Sequence, residues 1–275
     1  MVDCHIHAVL DGQHWKTAID RHRGDPRADL CRRMLESYRG YTYLRDGGDR
    51  WGVGKLAKSL APQYGIVYKT PLAPLSLKGH YGGFIGLQFE NLKEYARLVV
   101  RQRQEGADFI KIMISGLMDF DRFGVLTEPG LKEETISALI RIAHEEGMSV
   151  MAHANGADTV RFAAKAGVDS VEHGAYLDEE ALYAMKEAGT VWVPTLSTIA
   201  NLRGTGRFNE QAVEQILESA LLNVERFHAM GGLVAPGSDA GAWSVQHGTQ
   251  KEYALLGMAG VTDTTAATQR IIEKF

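Results

Sequence analysis

At 275 residues, with 45% hydrophobic and 23% charged side chains, the chain has the composition of a globular protein with ample apolar material for a core. A formal net charge of −4 argues against a nucleic-acid partner, which wants a concentrated positive face. No apolar run approaches the roughly 20 residues that span a bilayer, no basic-then-apolar leader follows Met1, and Cys4 and Cys31 are too few for a disulfide scaffold, so the expectation is a cytoplasmic protein.

The first predicted strand covers residues 2–7, where Asp3, His5 and His7 alternate with Cys4 and Ile6. Strand side chains repeat every two residues, so the alternation predicts all three polar groups on one face. Two imidazoles so placed can meet one metal ion, although a single strand histidine more often belongs to a core or surface. A long segment, 8–40, follows. The second strand is expected at 41–46, with Arg45 read as a structural ion-pair partner of Asp46. The third, at 66–68, precedes another long segment, 70–89, rich in Gly and Pro.

The fourth strand, 109–114, places Ile110, Ile112 and Ile114 on one face and Phe109, Lys111 and Met113 on the other. An ammonium facing a barrel interior needs a partner or a lowered pKa, which also makes it nucleophilic; an acidic neighbour or a snorkelling side chain is the structural alternative. Strands at 149–153, 170–173, 191–194 and 233–238 complete eight, and His153, His173 and Asp239 stand at the ends of three of them. Singly, each could be a cap or a satisfied polar group, Asp239 a helix cap in particular.

Amphipathic runs at 92–104, 133–146, 159–166, 179–188 and 211–230 separate these strands, with stop signals at Gly106, Gly147, Gly167, Gly189 and Gly231. Strand, helix, glycine, strand is the pattern of a parallel α/β fold, predicted as a (β/α)8 TIM barrel forming one domain over 1–275, with a doubly wound open sheet as the rival. In a barrel the loops after strands build the active face. The long segments 8–40 and 70–89 are then lids or specificity walls, or simply pack over the barrel.

Asp3-x-His5-x-His7, the strand-four lysine, the two single histidines and the terminal Gly-Ser-Asp239-Ala-Gly together resemble the amidohydrolase superfamily. Ile-Lys-Ile-Met-Ile-Ser-Gly, Ala-His-Ala-Asn-Gly and Ser-Val-Glu-His-Gly are similar to its imidazolonepropionase-related, prolidase-like branch, over residues 2 to about 267. The resemblance implies two divalent ions, zinc with manganese or iron as alternatives. His5, His7 and Asp239 would hold one, His153 and His173 the other, and a carbamate on Lys111 would bridge them, with Asp239 also the catalytic proton carrier. It further implies His80 and Tyr176 as substrate contacts, and cleavage of an amide bond in a dipeptide, N-acyl amino acid or cyclic amide by a metal-activated hydroxide.

Such relatives usually carry a small β-sandwich built from segments flanking the barrel, which this chain is expected to lack; a homo-oligomer is compatible with that. The alternatives are a mononuclear deaminase or imidazolone-type hydrolase with unmodified Lys111, a lactonase or phosphotriesterase, and an inert metal-binding barrel.

Overall fold

The eight apolar segments form parallel strands, as their short β-branched runs between glycine-terminated helices dictate. The computed structural model describes residues 1–275. Its strands are β1 (Val2–Ile6), β2 (Tyr43–Asp46), β3 (Val67–Lys69), β4 (Leu75–Leu77), β5 (Leu87–Phe89), β6 (Ile110–Met113), β7 (Val150–Ala154), β8 (Ser170–His173), β9 (Val191–Val193) and β10 (Leu233–Val234).

Two ladders run β1-β2-β3 and β10-β9-β8-β7-β6-β4-β5, with all pairings parallel. Single backbone bonds join the two ladders. At one seam Cys4 donates to Pro236 O at 2.9 Å, Asp239 to His5 O at 2.7 Å and His7 to Ala240 O at 2.7 Å; at the other, Asp108 donates to Thr70 O at 2.9 Å. The architecture is the (β/α)8 barrel, with β1, β2, β3, β6, β7, β8, β9 and β10 as its staves.

The third stave differs from expectation. It breaks after Lys69 and resumes as β4, which pairs with β6 through Leu75–Ile112 and Ser76–Met113, while β5 adds outside it. The predicted loop 70–89 is therefore partly a sheet edge, and only its β4–β5 connection is left to enter the mouth. The segment 8–40 is likewise not all loop. It contains helices Trp15–Asp20 and Ala28–Ser37, the latter burying Cys31, Met34 and Leu35 at i, i+3 and i+4 spacing.

The five predicted helices appear at Leu92–Gln104, Glu133–Glu145, Ala157–Lys165, Glu179–Ala188 and Glu210–Ala229. Asn91, Asp178 and Asn209 cap three of them, each accepting a backbone N–H from the first turn. None of the helices is long and apolar enough to cross a membrane.

Ile110, Ile112 and Ile114 pack under the helices, whereas Phe109 faces the barrel axis with Cys4, Tyr43, Met151, Val191 and Val193. Helix Thr265–Lys274 closes the bottom of this interior with Ala267, Ile271 and the chain's last residue, Phe275, whose ring meets Phe109 edge-on at 5.1 Å. Burying such a side chain contributes about 1.5–3 kcal/mol.

The expected common face of Asp3, His5 and His7 needs correction. Asp3 pairs with Leu44 and Ile6 with Asp46, so three steps on β1 match two on β2. That extra residue inverts the alternation. His5 and His7 face the mouth, but Cys4 joins the axial cluster and Asp3 turns aside to accept the backbone N–H of Ser238 at 2.9 Å and its hydroxyl at 2.5 Å.

Candidate metal centre

All six ligand-type residues line one cleft at the C-terminal ends of the strands: His5, His7, Lys111, His153, His173 and Asp239. Ligand atoms of His5, His7 and Asp239 lie within 4.8 Å of one another. Asp239 Oδ1 is 3.2 Å from His7 Nε2 and 3.6 Å from His5 Nε2. The ring of His173 bridges the group, its centroid 5.2 Å from that of His5 and 4.6 Å from that of His153.

Two glycines make room for this approach. A Cβ on Gly47, just beyond β2, would lie 2.3 Å from the His7 ring, and one on Gly237 would lie 2.3 Å from Val193 and 3.0 Å from His5. Three of the six non-glycine residues with positive φ also belong here: His173, Thr195 and Asp239, at 68°, 51° and 57°. For β-branched Thr195 this conformation is a genuine outlier. Such strain persists only where surrounding structure fixes it, and it collects at functional sites.

Three histidines are each tied outward by one ring nitrogen. His5 Nδ1 meets Glu172 Oε2 at 2.7 Å, His173 Nδ1 meets Thr195 Oγ1 at 2.7 Å, and His153 Nε2 meets Gly116 O at 3.1 Å. This is the arrangement by which outer groups fix the tautomer and direction of an imidazole ligand. Burial pushes His5 down to about 4 and His153 to about 3, with the Lys111 charge adding to it, and lowers His173 as well. Neutral imidazoles suit a cation.

Buried polar atoms of the centre make no well-formed hydrogen bond: His5 Nε2, His7 Nδ1, Lys111 Nζ and, apart from its ion-pair approach to the histidines, Asp239 Oδ1. Leaving several such atoms unmatched in one cleft is costly. Imidazole nitrogens beside carboxylate oxygen form a donor set suited to divalent transition ions, and the residues fit such ions. Burial brings Lys111 down to about 8, against the pull of Glu172.

Sequence reasoning missed the charge support beneath this floor. Arg45 is wholly buried and pairs with Glu172, Nη2 to Oε1 at 2.8 Å, rather than with Asp46 as expected. It also donates to Ser170 Oγ at 2.9 Å and Cys4 O at 2.7 Å, and the Phe275 ring centroid lies 4.4 Å from its guanidinium carbon. Asp46 points the other way, accepting from the Ala8 N–H and the Thr70 hydroxyl. The signal was available: in β8, Ser170 and Glu172 share the inward parity opposite Val171.

His80 and Tyr176 are not among the residues lining the cleft. His80, on the β4–β5 connection, has its Nδ1 3.7 Å from Glu128 in the segment after β6, and Tyr176 meets Phe123 edge-on at 5.5 Å. Tyr81, the next residue after His80, does enter, its ring centroid 4.9 Å from that of His153.

The chain matches the model of the amidohydrolase family over residues 49–267, a span that includes Lys111, His153, His173 and Asp239. An uncharacterised protein of Mycobacterium tuberculosis is 28% identical over 279 residues, the match taking 98% of this chain and 68% of that protein. Ochratoxinase of Aspergillus niger is 26% identical over 280 residues, covering 86% of this chain and 56% of the enzyme. Among solved structures, a Xaa-Pro dipeptidase with methionine bound in its active site has a TM-score of 0.78 at 23% identity, over 99% of this chain and 75% of that one.

Proposed function

The chain belongs to the amidohydrolase family, and from that premise we propose that it hydrolyses an amide bond in a small carboxylate-bearing molecule, using two divalent ions held by His5, His7, Lys111, His153, His173 and Asp239. The observation that carries this reading is the set of buried, unpartnered atoms on His5, His7, Lys111 and Asp239 in one cleft. Divalent ions bound there would lower the pKa of a water and polarise a carbonyl oxygen.

The protein's own part is positional and acid–base. His5, His7 and Asp239 fit one ion, His153 and His173 the second. Lys111, with its pKa brought toward neutrality by burial, would react as the free amine with carbon dioxide, releasing a proton, and the carbamate formed would add an anionic ligand for the ions. Asp239 Oδ1 has no full hydrogen-bond partner. It would take a proton from attacking water and return it to the departing nitrogen.

The reading is tested by loading the protein with zinc, manganese or iron and assaying dipeptides, N-acyl amino acids and cyclic amides. Hydrolysis that falls at least about a hundredfold in Asp239→Asn supports it. Preference for lactones or phosphotriesters, with amides untouched, would oppose it. Incubation with labelled bicarbonate should give a carbamate carbon resonance that is absent from Lys111→Ala.

A further inference from the structure

At about 680 Å³ the cleft above the floor falls in the range of sites for molecules of drug size, and its upper part is aromatic. One series of touching rings rises from His153 through Tyr81 to Phe84 and the half-exposed Trp15, with centroid spacings of 4.9, 5.7 and 5.1 Å. A second runs from Phe120 to Phe208 at 5.3 Å and on to Trp243 at 6.5 Å. Ring surfaces in a cleft favour a flat apolar group, by area burial and by stacking.

One cation lining the cleft, Arg207, stands among these rings; Lys16, whose Nζ is 5.2 Å from the Trp15 ring centroid, is not part of the lining. The Arg207 guanidinium carbon lies 4.1 Å from the Trp243 ring centroid and 5.2 Å from that of Phe208. Stacking orients the planar fork without using its N–H donors. Arg203 nearby pairs with Glu214 at 2.7 Å; Arg207 has no such carboxylate. The acidic groups of the rim are engaged elsewhere. Asp119 accepts from Arg122 Nε at 2.8 Å, and Asp121 accepts the backbone N–H of Asn209 at 2.8 Å.

We propose that this rim is a recognition subsite for an aromatic carboxylate: the substrate's flat arm packs on the rings and its carboxylate pairs with Arg207. This rests on the amide-hydrolase reading of the floor, and narrows its substrate to amides bearing both groups. The binding it describes requires no turnover.

The test is calorimetric titration of the metal-loaded protein with 2-naphthoate, cyclohexanecarboxylate and 2-naphthalenemethanol, none of which contains an amide. Naphthoate should bind more tightly than either of the others. Arg207 is exposed, so Arg207→Gln should fold, and it should weaken naphthoate about ten- to hundredfold while leaving naphthalenemethanol unchanged. Trp243→Ala should weaken both naphthyl probes. Equal naphthoate affinity in Arg207→Gln and the wild type would overturn the subsite, because the floor alone would then be holding the acid. Failure of the wild type to cleave any amide, with the Arg207 contrast intact, would strike the floor's assignment and leave the subsite supported.

Discussion

Glu172 Oε2 lies 2.7 Å from His5 Nδ1, joining the sixth barrel stave to the first beneath the mouth. Burial alone would raise the Glu172 carboxyl, but the buried Arg45 and the bond to His5 outweigh it and hold it near 2. An ionised Glu172 keeps the proton of neutral His5 on Nδ1, so Nε2 presents its lone pair to the cleft. Arg45 in turn holds Glu172, and Phe275 lies against Arg45 from below.

Glu172→Gln should therefore reduce metal affinity by about ten- to hundredfold, the usual effect of losing an outer partner of a ligand. Competition with a chromophoric chelator measures this without any substrate. Arg45→Met leaves the carboxylate without its cation, and should cost about 3–5 kcal/mol in urea unfolding. A Glu172→Gln protein that retains metal as the wild type does would remove Glu172 from the support of the site.

Protein purified without chelator should contain up to two transition ions per chain by elemental analysis. His5→Ala should lose metal and activity together, because the His5–His7–Asp239 cluster then keeps only two of its three groups. Prolonged chelation of the wild type should lower the melting temperature, since ions that bind only the folded chain stabilise it by mass action. A His5→Ala variant with full metal content and activity would detach the first stave from the site.

Tyr81 and Tyr176 separate two readings of the substrate contacts. Tyr81 lines the cleft beside His153, and Tyr176 packs against Phe123 away from it. Tyr81→Phe should lower kcat/KM for carboxylate-bearing amides about ten- to hundredfold, the equivalent of a lost hydrogen bond to a charged group. Tyr176→Phe should change it by less than about threefold. The reverse ranking would restore Tyr176 as the contact.

Glu252 gives the protein a pH-dependent stability. Its buried carboxyl accepts the N–H groups of Leu196 and Ser197 at 2.9 and 2.8 Å and the Ser197 hydroxyl at 2.7 Å. Burial nonetheless raises it from 4.5 to about 7, helped by the Asp3 charge. The folded state then holds more protons than the unfolded state between these values. The stabilisation is fully present below the lower value and is lost as pH rises through the upper one. Melting temperature should fall between roughly pH 5 and 8, and Glu252→Gln should flatten part of that slope, with Asp3 supplying some of the remainder. Parallel wild-type and variant curves would rule Glu252 out as a source.

The sequence alone determined which segments become staves, because β-branched inward and outward rows and glycine-stopped amphipathic runs are local patterns. It also identified the six residues that share the cleft, since inward parity together with a place toward the C-terminal end of a parallel strand can be read along one strand. Asp3 left its expected row because of one extra residue in a register set by β2, a partner about forty residues away. The pairing of Arg45 with Glu172 instead of Asp46 was equally nonlocal. Both Arg45 and Glu172 point into the axis, and only closure of the barrel brings the second and sixth staves together, whereas Asp46 has the opposite parity and packs outward. Tyr81 displaced His80 from the cleft for a similar reason: β4 pairs with β6 and so fixes which residue of a short connection turns inward. Periodicity along one strand belongs to the chain, but which polar groups neutralise one another across a barrel is decided by tertiary pairing, where the cost of a buried unmatched charge selects the partner.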